Sequence, residues 1–221
     1  LSLISSGFDN HNIVLGYSNY KKDSGLLNKL VRFDTYLIAS SYFTACQIGI
    51  PYMGVGRNLA YKKDLFFKNK GFANHINLIS GDDDLFIQEI ASKENTTIIL
   101  DSESHTSSLA EKSWKDWFAQ KRRHYSTASR YKLKTKLYLI IDPLSIILFY
   151  LIPIYHISIN NRFDIILLIF SIVFLIRSFS NYKLMKKLKL LDLFYFTPFI
   201  EIFHLILIQF LYMYSTIRGK K

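Results

Sequence analysis

Three adjacent carboxylates are the clearest sign of chemistry in the sequence. Asp82, Asp83 and Asp84 stand together in a Gly-Asp-Asp-Asp-Leu segment. Because neighbouring like charges raise the pKa of a carboxyl toward working pH, one of the three is a candidate general base. Acids at the start of a helix also cap its free amides and complement its dipole, so a structural interpretation stays open. A calcium loop is excluded, since the alternating Asp positions and the twelfth-position Glu are absent.

A glycine-containing turn, Gly-Val-Gly-Arg-Asn, is the second candidate. It has neither the third glycine of a dinucleotide fingerprint nor the Gly-Lys-Ser/Thr ending of a P-loop. Its glycines indicate a backbone that passes close to another group. We expect a bound sugar or lipid phosphate to lie near Gly54, Gly56, Arg57 and Asn58, with Arg57 as a forked donor.

Gln120 and Arg123 form the third candidate, because residues spaced i and i+3 share one face of a helix. An amide and a guanidinium on one face suit hydroxyls and diphosphates, and His124 follows directly. The alternative is a basic surface that only faces lipid.

The elements that must position these residues alternate between strand and helix. Residues 12–17 and 96–100 are short apolar or β-branched runs that predict strands, and a third strand is expected to end the 51–61 segment. Helical periodicity covers residues 24–47, and a helix with an acidic first turn is expected over 82–92. This alternation predicts an α/β fold.

Composition and charge divide the 221 residues into three parts. Half of the chain is hydrophobic and 20% is charged, which excludes disordered and collagen-like classes. The single cysteine, Cys46, excludes a disulfide scaffold and fits a reducing compartment. The net charge of +11 is nearly absent from residues 1–114, concentrated in the basic segment 115–136, and weaker in the apolar region 137–221.

The apolar region predicts two to three transmembrane helices, at about 137–157, 163–176 and 193–217. The excess of Lys and Arg in residues 115–136 and 177–192 places both segments in the cytoplasm. Three spans would put the basic tail, Arg218, Lys220 and Lys221, on the other side, so the number of spans stays open. Glu201, with His204 one turn later, is the intramembrane acid that invites a functional role.

The basic segment mixes Lys and Arg with Trp and Tyr, as nucleic-acid surfaces do. Its position directly before an apolar span favours an interfacial helix on anionic lipid instead, and no nucleic-acid partner is expected. Trp114 and Trp117 are expected to anchor that helix in the interface.

The order of the three motifs, followed by membrane helices, resembles the C-terminal half of membrane-bound family 2 glycosyltransferases of bacteria. These are inverting enzymes with a GT-A fold that act in polysaccharide biosynthesis. The resemblance implies that Asp82 is the catalytic base and Asp84 the second acid of the Asp82–Asp84 site. It places Gln120 and Arg123 near the donor diphosphate and the acceptor entrance. His124 stands where the family usually has tryptophan, which weakens the case for a processive polymer channel.

The resemblance further implies a nucleotide-sugar donor, a lipid-linked or glycan acceptor, and Mg²⁺ or Mn²⁺. The family's metal-binding Asp-x-Asp lies upstream of the base and has no counterpart before Asp82 here. Since the chain begins at Leu1 and offers about three strands, residues 1–114 are expected to be a partial GT-A domain without its donor-binding half, inactive alone. A multi-pass protein of the inner membrane, with its soluble part in the cytoplasm, is expected.

Two other function classes stay open. The first is a non-catalytic membrane-anchored interaction module, whose basic segment binds anionic lipid and whose acids only cap a helix. The second is a membrane enzyme of phospho-transfer that uses the acidic cluster to hold a metal ion.

Overall fold

Strands and helices alternate in the first half of the chain, and helices follow it, in the computed structural model, which describes residues 2–78, 80–159 and 163–218. The fold is therefore mixed α/β. The strands are β1 (Ile13–Leu15), β2 (Ser18–Tyr20), β3 (Leu59–Tyr61), β4 (Thr96–Ile98) and β5 (Thr106–Ser108). The helices are α1 (Ser2–Ser6), α2 (Leu26–Gln47), α3 (Lys63–Lys68), α4 (Asp84–Ile90), α5 (Trp114–Ala128), α6 (Leu133–Ile159), α7 (Phe163–Lys187), α8 (Leu191–Phe194) and α9 (Thr197–Arg218).

Strand β1 is the centre of a three-stranded sheet with the order β3-β1-β4. It pairs with β3 in antiparallel and with β4 in parallel register, so that Val14 lies opposite Ala60 and Thr97. All three of its residues are buried, which explains why its sequence is continuously apolar rather than alternating. The three strands expected from the sequence are these three.

A second, two-stranded sheet pairs β2 with β5 in parallel. Neither strand is predicted from the sequence, because their residues are mostly Ser, Asn and Thr with little apolar alternation. Strand β2 carries Tyr20, which contacts both Arg57 and Gln120.

Helix α2 is the main support of the α/β part. It buries Leu30, Phe33 and Tyr42 at 3% exposure or less, and the Tyr42 hydroxyl donates to the Gly16 carbonyl at 2.7 Å. The same hydrophobic core includes residues from the end of α7 and from α9, among them Met185 and Ile200. The apolar C-terminal region therefore packs directly against the α/β part.

The basic segment 115–136 does not form one helix. The Ser113 hydroxyl caps α5 by accepting from the Asp116 amide at 3.1 Å, and α5 ends at Ala128. Helix α6 begins after four intervening residues, at Leu133. The turn between them is held by Lys132, whose amide donates to the Gln88 side chain at 3.0 Å and whose ammonium donates to the Gln88 carbonyl.

Two helices in the described residues are long and apolar enough to cross a membrane: Leu133–His156 in α6 and Asp164–Lys187 in α7. The apolar stretch of α9, Thr197–Leu211, is shorter. The second predicted span is therefore longer than expected, since α7 continues through Arg177 and most of the predicted 177–192 loop is helical. Arg162 of the first predicted turn, and Lys220 and Lys221 of the tail, lie outside the described residues.

Candidate functional site

The three adjacent acids have three different environments. Gly81 turns the chain with φ +103°, a conformation that favours glycine, and α4 begins three residues later. Asp82 is exposed, Asp83 is half-buried at the N-cap of α4, and Asp84 is buried at 7% exposure. Asp82 is therefore the acid most open to an incoming substrate.

Asp83 connects the acidic segment to the glycine turn. Its carboxylate accepts hydrogen bonds from the amides of Gly56 and Asp84, each at 2.9 Å. Burial raises the pKa of Asp83, as do the charges of Asp84 and Asp82, while the two amide hydrogen bonds oppose the shift. The raised pKa expected for an acid in this cluster thus falls on Asp83.

Asp84 connects α4 to α5 and to the turn after it. Its carboxylate accepts from the Thr127 hydroxyl at 3.0 Å and from the Tyr131 hydroxyl, and it caps the Leu85 amide at 2.8 Å. Since its oxygens are all engaged by protein groups, its role here is to hold these elements together.

Arg57 and Gln120 both contact the Tyr20 side chain. The Arg57 guanidinium lies 4.2 Å from the centre of the Tyr20 ring and donates to the Asn19 carbonyl at 3.2 Å. The Gln120 amide donates to the Tyr20 hydroxyl at 3.5 Å. Two of the sequence motifs are therefore brought together by a residue that the sequence analysis did not single out.

Gly54 and Asn58 both make contacts within the protein. A Cβ at Gly54 would lie 2.8 Å from the Leu59 side chain, so this glycine permits close packing. The Asn58 amide is buried and donates to the carbonyls of Tyr17 and Ser104 at 2.7 and 2.9 Å. Gly56 lies next to the acidic segment instead, since a Cβ at this position would lie 3.3 Å from the Asp83 carboxylate.

The basic face of α5 is smaller than its sequence indicates. Arg122, Arg123 and His124 are exposed, whereas Lys121 is buried and pairs with Asp34 of α2. Trp117 is fully buried in the protein, which differs from the interfacial anchor expected of it. Trp114, at 38% exposure, keeps an outward surface.

Asp82 borders an open cavity of about 240 Å³. His75 lines it too, a position that no sequence motif indicates. The imidazole is 7% exposed, and its Nδ1 lies 3.5 Å from the Glu89 carboxylate. The remaining lining residues are Phe72, Ile76, Leu78 and Ser80.

Glu201 and His204, singled out together in the sequence, have separate partners. The Glu201 carboxylate pairs with Arg177 of α7 at 2.5 Å and accepts from the Tyr150 hydroxyl of α6 at 3.3 Å. His204 bonds Asp34 instead. The Arg177–Glu201 pair lines a cavity of about 340 Å³ together with aromatic and small polar side chains.

Within residues 2–78, 80–159 and 163–218, no group of three or more His, Cys, Asp or Glu side chains is arranged to hold a metal ion. Asp82, Asp83 and Asp84 lie in different environments, and no metal ligand is assigned in the part of the chain that the structure describes. No protein-family model, curated protein or solved structure gives a significant match to the chain.

Proposed function

We propose that the protein is an inverting, membrane-associated glycosyltransferase that moves a sugar from a nucleotide-sugar donor to an acceptor hydroxyl. One observation carries the proposal: three motifs that are separated in the sequence are linked to one another by contacts in the fold. Asp83 holds Gly56, Asp84 holds Thr127 of α5, and Arg57 and Gln120 share Tyr20. A helix cap alone gives no reason for the acids to hold the glycine turn and the end of α5, or for Arg57 and Gln120 to share Tyr20.

Asp82 is the proposed base, since it is the exposed acid at the edge of a cavity. It takes the proton of the acceptor hydroxyl as that oxygen forms a bond to the anomeric carbon. The bond from the anomeric carbon to the diphosphate oxygen breaks on the opposite face, and the nucleoside diphosphate leaves with the electron pair. Attack from the opposite face inverts the anomeric centre.

The leaving diphosphate requires compensating charge and hydrogen-bond donors. Arg123 on the exposed face of α5 is the proposed contact of this kind, and Gln120 lies on the same helix face. Mg²⁺ or Mn²⁺ remains an implication of the family resemblance, and no step is assigned through it.

The proposed location is the cytoplasmic face of the inner membrane. The apolar helices α6 and α7 support membrane association, and the exposed basic residues that precede them support the cytoplasmic side. An acceptor that is lipid-linked, or a growing glycan near the membrane, fits this location.

Transfer of radiolabelled sugar to membrane acceptors by the product of the complete gene, measured across a panel of nucleotide sugars, tests the proposal. Asp82→Asn is expected to lower the rate by about 10²–10⁴-fold, because a positioned base contributes that much. Asp64→Asn, at an exposed acid in the first turn of α3, is the matched control and should keep the parent rate. Retained transfer in Asp82→Asn would show that Asp82 is not the base.

A second candidate is a non-catalytic module that binds anionic lipid. The exposed guanidinium groups of Arg122 and Arg123 directly before the apolar helices favour it. Binding of anionic lipid that depends on these two residues, together with absent sugar transfer by the product of the complete gene, would select this candidate over the first.

A further inference from the structure

A buried carboxylate joins three helices that are far apart in the sequence. Asp34 of α2 is 3% exposed, Lys121 of α5 is 6% exposed and His204 of α9 is 9% exposed. The Lys121 ammonium pairs with Oδ2 of Asp34, and Nε2 of His204 lies 2.9 Å from Oδ1. Each carboxylate oxygen is thus used by a different helix.

This arrangement is an inefficient way to gain stability. Removing charged groups from water is costly, and apolar side chains of similar size often pack as well or better. A buried charge pair does have strict geometric requirements, because a displaced partner leaves an unpaired charge behind. Such a group therefore suits a position where orientation matters.

Helix α5 is the element whose orientation matters most for the proposed site. Lys121 fixes its inner face against α2, next to the fully buried Trp117. The neighbouring Gln120 reaches Tyr20, and Thr127 near the helix end reaches Asp84. A rotation of α5 about its axis would move Gln120 away from Tyr20 and Thr127 away from Asp84.

We propose that Asp34 is a positioning residue, which sets the rotation of α5 through Lys121 and separately docks α9 through His204. Because its two carboxylate oxygens bond two different helices, a substitution of Lys121 should affect only the position of α5, and a substitution of His204 only that of α9. The claim that this orientation matters for Gln120 and Arg123 rests on the proposed function. The claim that Asp34 sets the positions of α5 and α9 does not depend on it.

Distances between spin labels test this proposal on the full chain in detergent or nanodiscs. The single cysteine allows a Cys46→Ala background, and exposed positions carry the labels: Gln47 at the end of α2, Ser126 on α5 and Gln209 on α9. The pairs Gln47–Ser126 and Gln47–Gln209 report on α5 and α9 respectively. Pulsed electron resonance gives the distribution of each distance.

Lys121→Met is expected to broaden the α2–α5 distribution and leave the α2–α9 distribution narrow. His204→Leu is expected to do the reverse, and Asp34→Asn to broaden both. Asp192→Asn is the matched control, because it breaks another ion pair of α2, the one that Asp192 makes with Arg32 at 2.7 Å, and should leave the α2–α5 distribution narrow.

Unchanged distributions in Lys121→Met and His204→Leu would overturn the proposal. So would a joint broadening of both distances in each single variant, since that indicates general loosening. The two single variants decide the matter even if Asp34→Asn does not fold. Absence of transferase activity in the product of the complete gene would refute the proposed function and still leave these distances as a valid test of positioning.

Discussion

At the scale of single residues, the three adjacent aspartates have different exposures and different partners in the folded chain. The sequence predicts that the Asp82–Asp84 cluster matters, because adjacent like charges need a reason. It does not predict that Asp82 is exposed while Asp84 is buried. That difference depends on how α5 and the turn after it pack against Asp84. Both interpretations of the cluster therefore have support, since Asp83 and Asp84 hold structure and Asp82 is free for chemistry.

Asp84→Ala is predicted to destabilise the protein by about 3 kcal/mol, since it leaves the hydroxyls of Thr127 and Tyr131 without their charged acceptor. Asp82→Ala, at the exposed neighbour, is expected to change stability by less than about 0.5 kcal/mol. Urea unfolding followed by circular dichroism measures both values. Equal losses in the two variants would contradict the division of roles among the acids.

The pH dependence of stability provides a test at Asp34. Burial by itself would raise the pKa of Asp34, but the charge of Lys121 and the bond to His204 outweigh burial and lower it from 3.8 to about 2. A depressed folded-state pKa means that ionised Asp34 stabilises the fold above about pH 4, and that this contribution disappears as pH falls toward 2.

We therefore expect the stability difference between the parent and Asp34→Asn to be constant from neutral pH down to about pH 4. Between pH 4 and 2 the parent should lose on the order of 2 kcal/mol more than the variant. Urea unfolding across this range, in buffers of equal ionic strength, measures the difference. An equal acid response of both proteins would mean that Asp34 is not held ionised by its partners.

At the scale of secondary structure, periodicity predicts the elements that bury apolar surface and misses those that do not. The strands β1, β3 and β4 and the helices α2 and α4 lie where the sequence places them. β2 and β5 lack an apolar pattern, and the break between α5 and α6 depends on contacts from Lys132 to Gln88. Those contacts span 44 residues, so local sequence cannot reveal them.

The exposed side of α5 carries a prediction about lipid. Arg122→Gln combined with Arg123→Gln is expected to weaken retention of phosphatidylglycerol by roughly 30-fold, since each basic group near an anionic surface contributes about 1 kcal/mol. Lys63→Gln together with Lys68→Gln, on α3, removes the same charge elsewhere and is the control. Native mass spectrometry of the detergent-purified protein measures bound lipid. Equal losses in both double variants would indicate an effect of net charge alone.

For the whole molecule, the charge-based division into soluble, basic and apolar parts hides how closely these parts pack. Helix α2 makes several polar contacts with the C-terminal region, among which Arg32 bonds Asp192, Tyr36 bonds Asn181, and Asp34 bonds His204. These pairs are separated by 145 to 170 residues. No local pattern predicts such pairs, although each partner is a polar residue in or beside an apolar segment.

The same contacts bear on the number of membrane spans. Because His204 bonds Asp34 and α9 packs on α2 and α5, α9 belongs with the α/β part. Its apolar stretch is also shorter than those of α6 and α7. We therefore predict that α6 and α7 cross the membrane and that α9 does not, which returns the C-terminus to the side of the α/β part.

Two spans also reconcile the basic tail with the positive-inside rule, because Arg218, Lys220 and Lys221 then lie in the cytoplasm. A fluorescent protein fused to the C-terminus should fold and fluoresce, whereas alkaline phosphatase at the same position should be inactive. Fusion after Ile159, between α6 and α7, should give the opposite pair of results. Active phosphatase at the C-terminus would establish a third span and would be incompatible with the bond between His204 and Asp34.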